Sequence, residues 1–417
     1  MIQLPNTPFN PTTIQSGANT VSEPWINQII NKRVSLDTSS NYSSRISTLE
    51  NYLNFIYGQA LNQDGITNYQ QVIEYSKKYI ISCSIPWNLP ITKHHQHQWT
   101  LEDEIIIVVI NLSISYNSRS SELIGGLLSS NSEIESEKIW LSCFKMLKKA
   151  LQFINFLKTI DNDNGIIFET SNSFINFISC LIQSSSQLNF LIKTIWSLKK
   201  LEYDITLNDS INYSTLSRIS ISIKDEIKQM INILKINNIE YNQWQSCLDG
   251  LIKYINGYIG VLLSIENYKQ DKIGISIGFL EFSKENITRK SSNEEDEDDD
   301  EEDSKFKKKM SMFKKKIKSS EKLKKLKTKS KFKLNKQIQS CLSSTLEQNL
   351  IDLFELLKVL DLKYTIENDN LKFDEIPSIQ SLLNNYLPSA RSIPIESTSW
   401  IPNMIESTPT TNSTGYY

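Results

Sequence analysis

Three histidines, His94, His95 and His97, fall within four positions, and the chain holds no others. On a strand His95 and His97 would share a face; on a helix His94 and His97 would. Either arrangement supplies two metal ligands, and Glu102 or Asp103 could add a third. Zinc takes four donors, usually as two close pairs set apart by a spacer, and no second His or Cys pair occurs elsewhere. The competing reading is a polar loop ahead of a buried helix, with Thr100 as N-cap and Asp103 at the third helical position closing a capping box. On ligand count, the sequence assigns no metal and no cofactor.

Other catalytic constellations are missing. There is no GxSxG, P-loop, HExxH or Rossmann glycine pattern, and Gly125-Gly126 stands alone. The five cysteines (83, 143, 180, 247, 341) form no CxxC pair, and most lie in apolar helical patterns. They read as buried, reduced thiols of a cytosolic protein. No spacing brings one to the histidines as a nucleophile. Glu102 and Glu104 read as ordinary helix carboxylates. No catalytic residue is assigned, and the expectation is a protein that is not an enzyme.

A net charge of −2 hides a dipole: ten consecutive acids, Glu294 to Asp303, precede sixteen lysines and one acid between Lys305 and Lys336. Within the basic block Phe306, Met310, Phe313 and Ile317 are spaced four, three and four, an apolar stripe if helical. Lys307, Lys308, Lys309, Lys314, Lys315 and Lys316 fill the other faces. That is the pattern of a helix lying on an anionic membrane surface, where each lysine contributes about 1 kcal/mol. The alternative is a solvated loop whose lysines pair with the acids before it. Nucleic acid is not expected as a partner, because base stacking wants interleaved Tyr, Trp or Arg and the block has none.

The elements that must position any site are helical. Residues 1–45 read as an extended lead-in packed onto the domain. Apolar residues then recur at helical spacing through Leu49–Leu61, "YQQVIEYSKKYI", Trp140–Leu157, Phe174–Leu198, Leu216–Ile236, Trp244–Glu266, Lys269–Ile287 and Leu342–Leu360. Glu102 to Ser115 is apolar on nearly every side, which places it in the middle of a bundle. The N-terminal region lacks the apolar core of a signal peptide. The longest apolar run, Ile105 to Ile110, is too short to span a bilayer. The pattern predicts an all-α protein with a few short strands near the N-terminus.

With these helices laid out, the chain resembles the Bro-one (ALIX-type) domain family. The likeness rests on "WTLEDEIIIVVINLSISYNS", "CFKMLKKALQFINFLK", "KIGISIGFLEFS" (272–283), "NDNLKFDEIP" (368–377) and "LPSAR" (387–391). In the third segment Gly274, Ile277 and Leu280 match and Ile275 replaces an acid; in the last Ala390 replaces Gly. The resemblance implies an elongated, curved domain of helical hairpins over residues 1–400, interrupted by the 290–336 insert and followed by a disordered 401–417 tail. It further implies a non-catalytic adaptor that holds the C-terminal helix of the core ESCRT-III filament subunit. By family position Phe190, Leu216 and Ile219 are the contact candidates, with Ile277 and Leu280 lining the neighbouring groove; Asn189 stands where the family has the first Phe of a pair. The chain ends close behind the domain, as do the fungal regulators of the ambient alkaline pH response. Its implied partners are therefore a PalA-like adaptor and a calpain-like protease complex. Its implied place is the cytoplasm, with recruitment to the plasma membrane or endosomes.

Overall fold

The computed structural model describes residues 1–12, 23–36, 41–63, 66, 68–92, 96–129, 136–160, 167–201, 203, 211–290, 332–393, 395 and 397–402. Helix α1 (Pro24–Val34) and α2 (Tyr42–Leu61) lead into α3 (Tyr69–Ser76). Strands β1 (Ile80–Ser84) and β2 (Gln96–Thr100) then pair antiparallel, with Ile80 opposite Thr100. Thr100 ends the ribbon and starts the next helix. Its backbone N–H and its hydroxyl donate to Asp103 Oδ2 at 3.0 and 2.8 Å, while Asp103 N donates back to Thr100 Oγ1 at 3.2 Å. The capping box expected from the sequence is formed in full.

The helix it caps, α4 (Leu101–Ser129), is buried at every residue from 101 to 118. From there each helix packs on the next: α5 (Ser136–Leu157), α6 (Asn172–Lys200), α7 (Tyr213–Ile236), α8 (Asn242–Lys269) and α9 (Ile273–Ile287). A short ribbon, β3 (Thr288–Lys290) with β4 (Phe332–Leu334), closes the base of the charged insert. After α10 (Lys336–Cys341), helix α11 (Ser344–Glu367) runs back across the stack and touches α4, α6, α8 and α9. The last helix is α12 (Ile379–Asn385). The result is a stack of helical hairpins tied along its length by one crossing helix, so the expected all-α class with a few N-terminal strands is what forms.

Several other helices start on side-chain caps. Asn41, Ser171 and Asn212 each accept a backbone N–H from the first turn of α2, α6 and α7. Helix α8 is long and apolar enough to span a bilayer, but 78% of its most apolar window is buried inside the fold, so those residues serve the core. Of the extended lead-in expected over residues 1–45, residues 1–12 lie against the domain in that form, whereas 24–34 instead make helix α1, which buries Trp25, Ile26 and Ile29. Ile2 N donates to Ser185 Oγ, Phe9 N to Asn111 Oδ1, and Trp244 Nε1 to Pro5 O.

Two sequence segments singled out above meet in space. Asp374 Oδ2, from "NDNLKFDEIP", accepts the N–H groups of Ile273 and Gly274 at the start of α9, at 3.1 and 3.3 Å. Asn368 fixes that turn by exchanging two hydrogen bonds with the backbone of Asp374. A Cβ on Gly274 would lie 2.2 Å from Glu375 O, so only glycine allows this approach.

Candidate partner-docking face

Helix α6 lies between α5 and α7, with α4 and α11 behind it. Its outward side carries Phe190, half-buried, whose ring meets Phe144 of α5 edge-on at 6.4 Å. One turn from Phe144, Leu141 is 54% exposed. Trp140 and Trp196 cross edge to face at 5.9 Å nearby. Cations edge this strip: Lys193 pairs with Glu137 at 3.0 Å, Lys200 sits 3.9 Å over the Trp196 ring, and Lys145 and Lys148 are exposed on α5. The strip can take an apolar ridge flanked by acids.

The five candidate contact residues separate into two groups. Phe190 and Leu216 are half-buried and offer surface. Ile219, Ile277 and Leu280 are 1, 4 and 0% exposed and belong to the core, which corrects the expected contact role of Ile219 and the expected groove-lining role of Ile277 and Leu280. Ile219 is turned into the stack. Helix α9 is held between α8 and α11, so its apolar residues are used in packing. Of the membrane-surface candidates, Phe306 to Ile317 all lie outside the described residues, as do His94, His95 and residues 403–417. Of His97 only the backbone is described, in β2. Its proposed helpers are engaged: Glu102 pairs with Lys77 at 3.6 Å and Asp103 closes the capping box. Among the described residues no group of three His, Cys, Asp or Glu could hold a metal.

Sequence reasoning missed three features. The first is Glu104, read as an ordinary helix acid. It is fully buried and accepts from Arg33 Nη1, Tyr52 OH, Trp87 Nε1 and Trp99 Nε1 at 3.2, 2.7, 3.0 and 2.8 Å. The available signal was one acid beside an unbroken apolar run. The second is Glu169, which accepts the N–H groups of Ile91 and Thr92 and the Thr92 hydroxyl, and so fixes the loop leading to the histidines.

The third is a strap formed by the residues after α12. Arg391 N donates to Arg218 O on α7. Farther on, Asn155 Nδ2 donates to Ser397, Gln152 Nε2 to Thr398, and Trp400 N to Gln152 O, all on α5. Trp400 then packs its ring against Tyr57, Phe153 and Phe156. The strap is thus anchored on α7 and on α5, the two helices that pack on α6. Within α6 every residue from Ser184 to Asn189 is buried.

Glu226 of α7 faces α6 there. It accepts from Ser184 Oγ at 2.6 Å and Gln187 Nε2 at 2.8 Å. Burial pushes its carboxyl up to about 7, against those two hydrogen bonds, which favour the charged form.

Comparison with known proteins follows this geometry. The family model described as "Family of unknown function (DUF5355)" matches residues 99–417. The chain belongs to that family. It is similar to the uncharacterized protein YGR122W of Saccharomyces cerevisiae, 25% identical over 318 residues, 72% of this chain and 75% of that one. Among solved structures it is similar to the ALIX BRO1 domain in complex with CHMP4C, with a TM-score of 0.53 and 11% identity over 97% of this chain and 96% of that chain. It is also similar to ALIX bound to the SIVmac239 PYKEVTEDL late domain, with a TM-score of 0.53 and 10% identity over 92% of this chain and 44% of that longer one. The DUF5355 chain therefore has a Bro1-type domain fold.

Proposed function

We propose that this chain is a non-catalytic adaptor that binds the C-terminal helix of the core ESCRT-III filament subunit. The observation that carries the reading is the apolar strip around Phe190 on the outward side of α5 and α6, on a fold shared with a BRO1 domain solved with CHMP4C. The strip supplies an apolar seat and a cationic edge, which suits an amphipathic helix with acidic flanks. In its finer form the proposal makes the chain most like the fungal regulator PalC. It would help assemble the alkaline pH-response complex with a PalA-like adaptor and a calpain-like protease, in the cytoplasm and at the plasma or endosomal membrane. A single Bro-type domain over 1–400, with the 290–336 insert meeting an anionic membrane surface, completes the proposal.

The test is a titration of the purified full-length chain with a fluorescent ESCRT-III C-terminal helix. Saturable binding that falls at least about tenfold in Phe190→Asp, a loss of about 1.4 kcal/mol, supports the proposal. No binding by the intact protein, or equal binding by the variant, removes it. Selective growth failure of a deletion strain at alkaline pH supports the signalling role; broad cargo missorting supports a general endosomal sorting adaptor instead.

A further inference from the structure

Two of the five thiols share one cavity. Cys247 of α8 and Cys341 at the end of α10 both line an opening of about 540 Å3, together with Gln3, Asn242, Ser246 and Ser343. Cys247 Sγ donates to Cys341 O at 3.2 Å. A Cβ built on Gly250, one turn along α8 from Cys247, would lie 3.1 Å from Cys341 Cβ and 3.7 Å from its Sγ. The Cys341 side chain thus rests on the α8 surface that carries Cys247. The two differ in access: Cys247 is buried and Cys341 half-buried.

We infer that Cys247 and Cys341 are a reversible oxidation site, which a peroxide converts to an intramolecular disulfide joining α10 to α8. The Cys247 Sγ reaches the main chain of Cys341 itself, so the two residues are direct neighbours, and a disulfide asks for Cα atoms within about 7 Å of each other. The difference in access orders the steps. The Cys341 thiolate attacks one oxygen of hydrogen peroxide; an S–O bond forms, the O–O bond breaks, and hydroxide leaves to become water. Sulfur is oxidised by two electrons and the peroxide is reduced. Cys247 Sγ then attacks the sulfenic sulfur. The S–S bond forms, the S–O bond breaks, and the departing hydroxide takes the Cys247 proton and leaves as a second water. Burial, with Cys341 adding to it, pushes the Cys247 thiol up to about 12. That suits the resolving role, in which the proton leaves only as the bond forms. Transient oxidation of this kind is the form disulfides take in reducing compartments. The bond would tether the segment that re-enters the fold after the charged insert, because α10 follows β4 directly.

The experiment treats the purified full-length protein with hydrogen peroxide and maps its peptides without reduction. The expected result is one cross-linked pair containing Cys247 and Cys341, loss of two thiols from five, and full recovery with dithiothreitol. Cys341→Ser, at a half-buried position, keeps the fold by circular dichroism and forms no cross-link; Cys83→Ser leaves the cross-link unchanged. Cys341 accumulating as sulfinic acid while Cys247 stays reduced would overturn the inference, as would a cross-link through Cys83, Cys143 or Cys180. If Cys341→Ser does not fold, trapping the wild-type sulfenic acid with dimedone decides the matter: an adduct on Cys341 that competes with the cross-link supports the order of steps, and an adduct elsewhere overturns it.

Discussion

Arg33 Nη1 lies 3.2 Å from Glu104 Oε2, and the two side chains are 7% and 0% exposed. This ion pair joins α1 to α4 beneath two indoles and a phenol that donate to the same carboxylate. Replacing Glu104 by Leu leaves Arg33 without this carboxylate and strands both indole N–H donors, while Tyr52 OH keeps only its 3.5 Å approach to Ile29 O. Removing one partner of a buried pair destabilises by about 3–5 kcal/mol. Urea unfolding of Glu104→Leu should show a loss of that size, and Glu104→Gln, which keeps an acceptor, should lose less.

The reciprocal Thr100–Asp103 bonds supply the N-terminal end of α4 with partners. Thr100→Ala removes a cap hydroxyl and should destabilise by about 1 kcal/mol. Thr100→Ser keeps the oxygen and should recover most of that in the same denaturation assay.

Glu226 binds its proton more tightly in the folded chain than an ordinary carboxyl does, since its pKa is raised to about 7. The folded state therefore holds more protons than the unfolded one between about pH 4.5 and 7. Its contribution to stability is greatest at the acid end and falls as pH rises through 7. The fall is at most about 3 kcal/mol. Denaturation midpoints of Glu226→Gln measured from pH 5 to 8 should follow a flatter profile than those of the parent chain.

Trp400 holds the strap's end against three aromatic rings. Trp400→Ala should loosen residues 387–402 with little effect on the helical stack. Hydrogen exchange at Trp400 N, bonded to Gln152 O at 3.0 Å, should speed up while the α4 amides stay protected. Global stability should drop by no more than about 2 kcal/mol, because the indole is only half-buried.

Helical periodicity located nearly all of the stack, because buried stripes recur at the spacing that a helix face dictates. The unbroken apolar run of α4 correctly implied a helix enclosed on all sides. What periodicity does not carry is which partner an isolated polar group finds. Glu104 gathers donors from Arg33, Tyr52, Trp87 and Trp99, up to 71 residues away in sequence, and no local pattern announces that convergence. The same limit misplaced Ile219, Ile277 and Leu280: family position put them at a surface, but a half-turn decides whether such a side chain faces solvent or the next helix, and all three are buried. The strap escaped notice because extended chain has no periodic signature. Its backbone bonds go to Arg218 and Gln152, residues that look like ordinary surface.

That strap joins α7 to α5, the helices on either side of α6. A cut in the chain between Arg391 and Ser397 would leave each end holding one helix, so the link between the two neighbours of α6 would be lost without removing any helix of the stack.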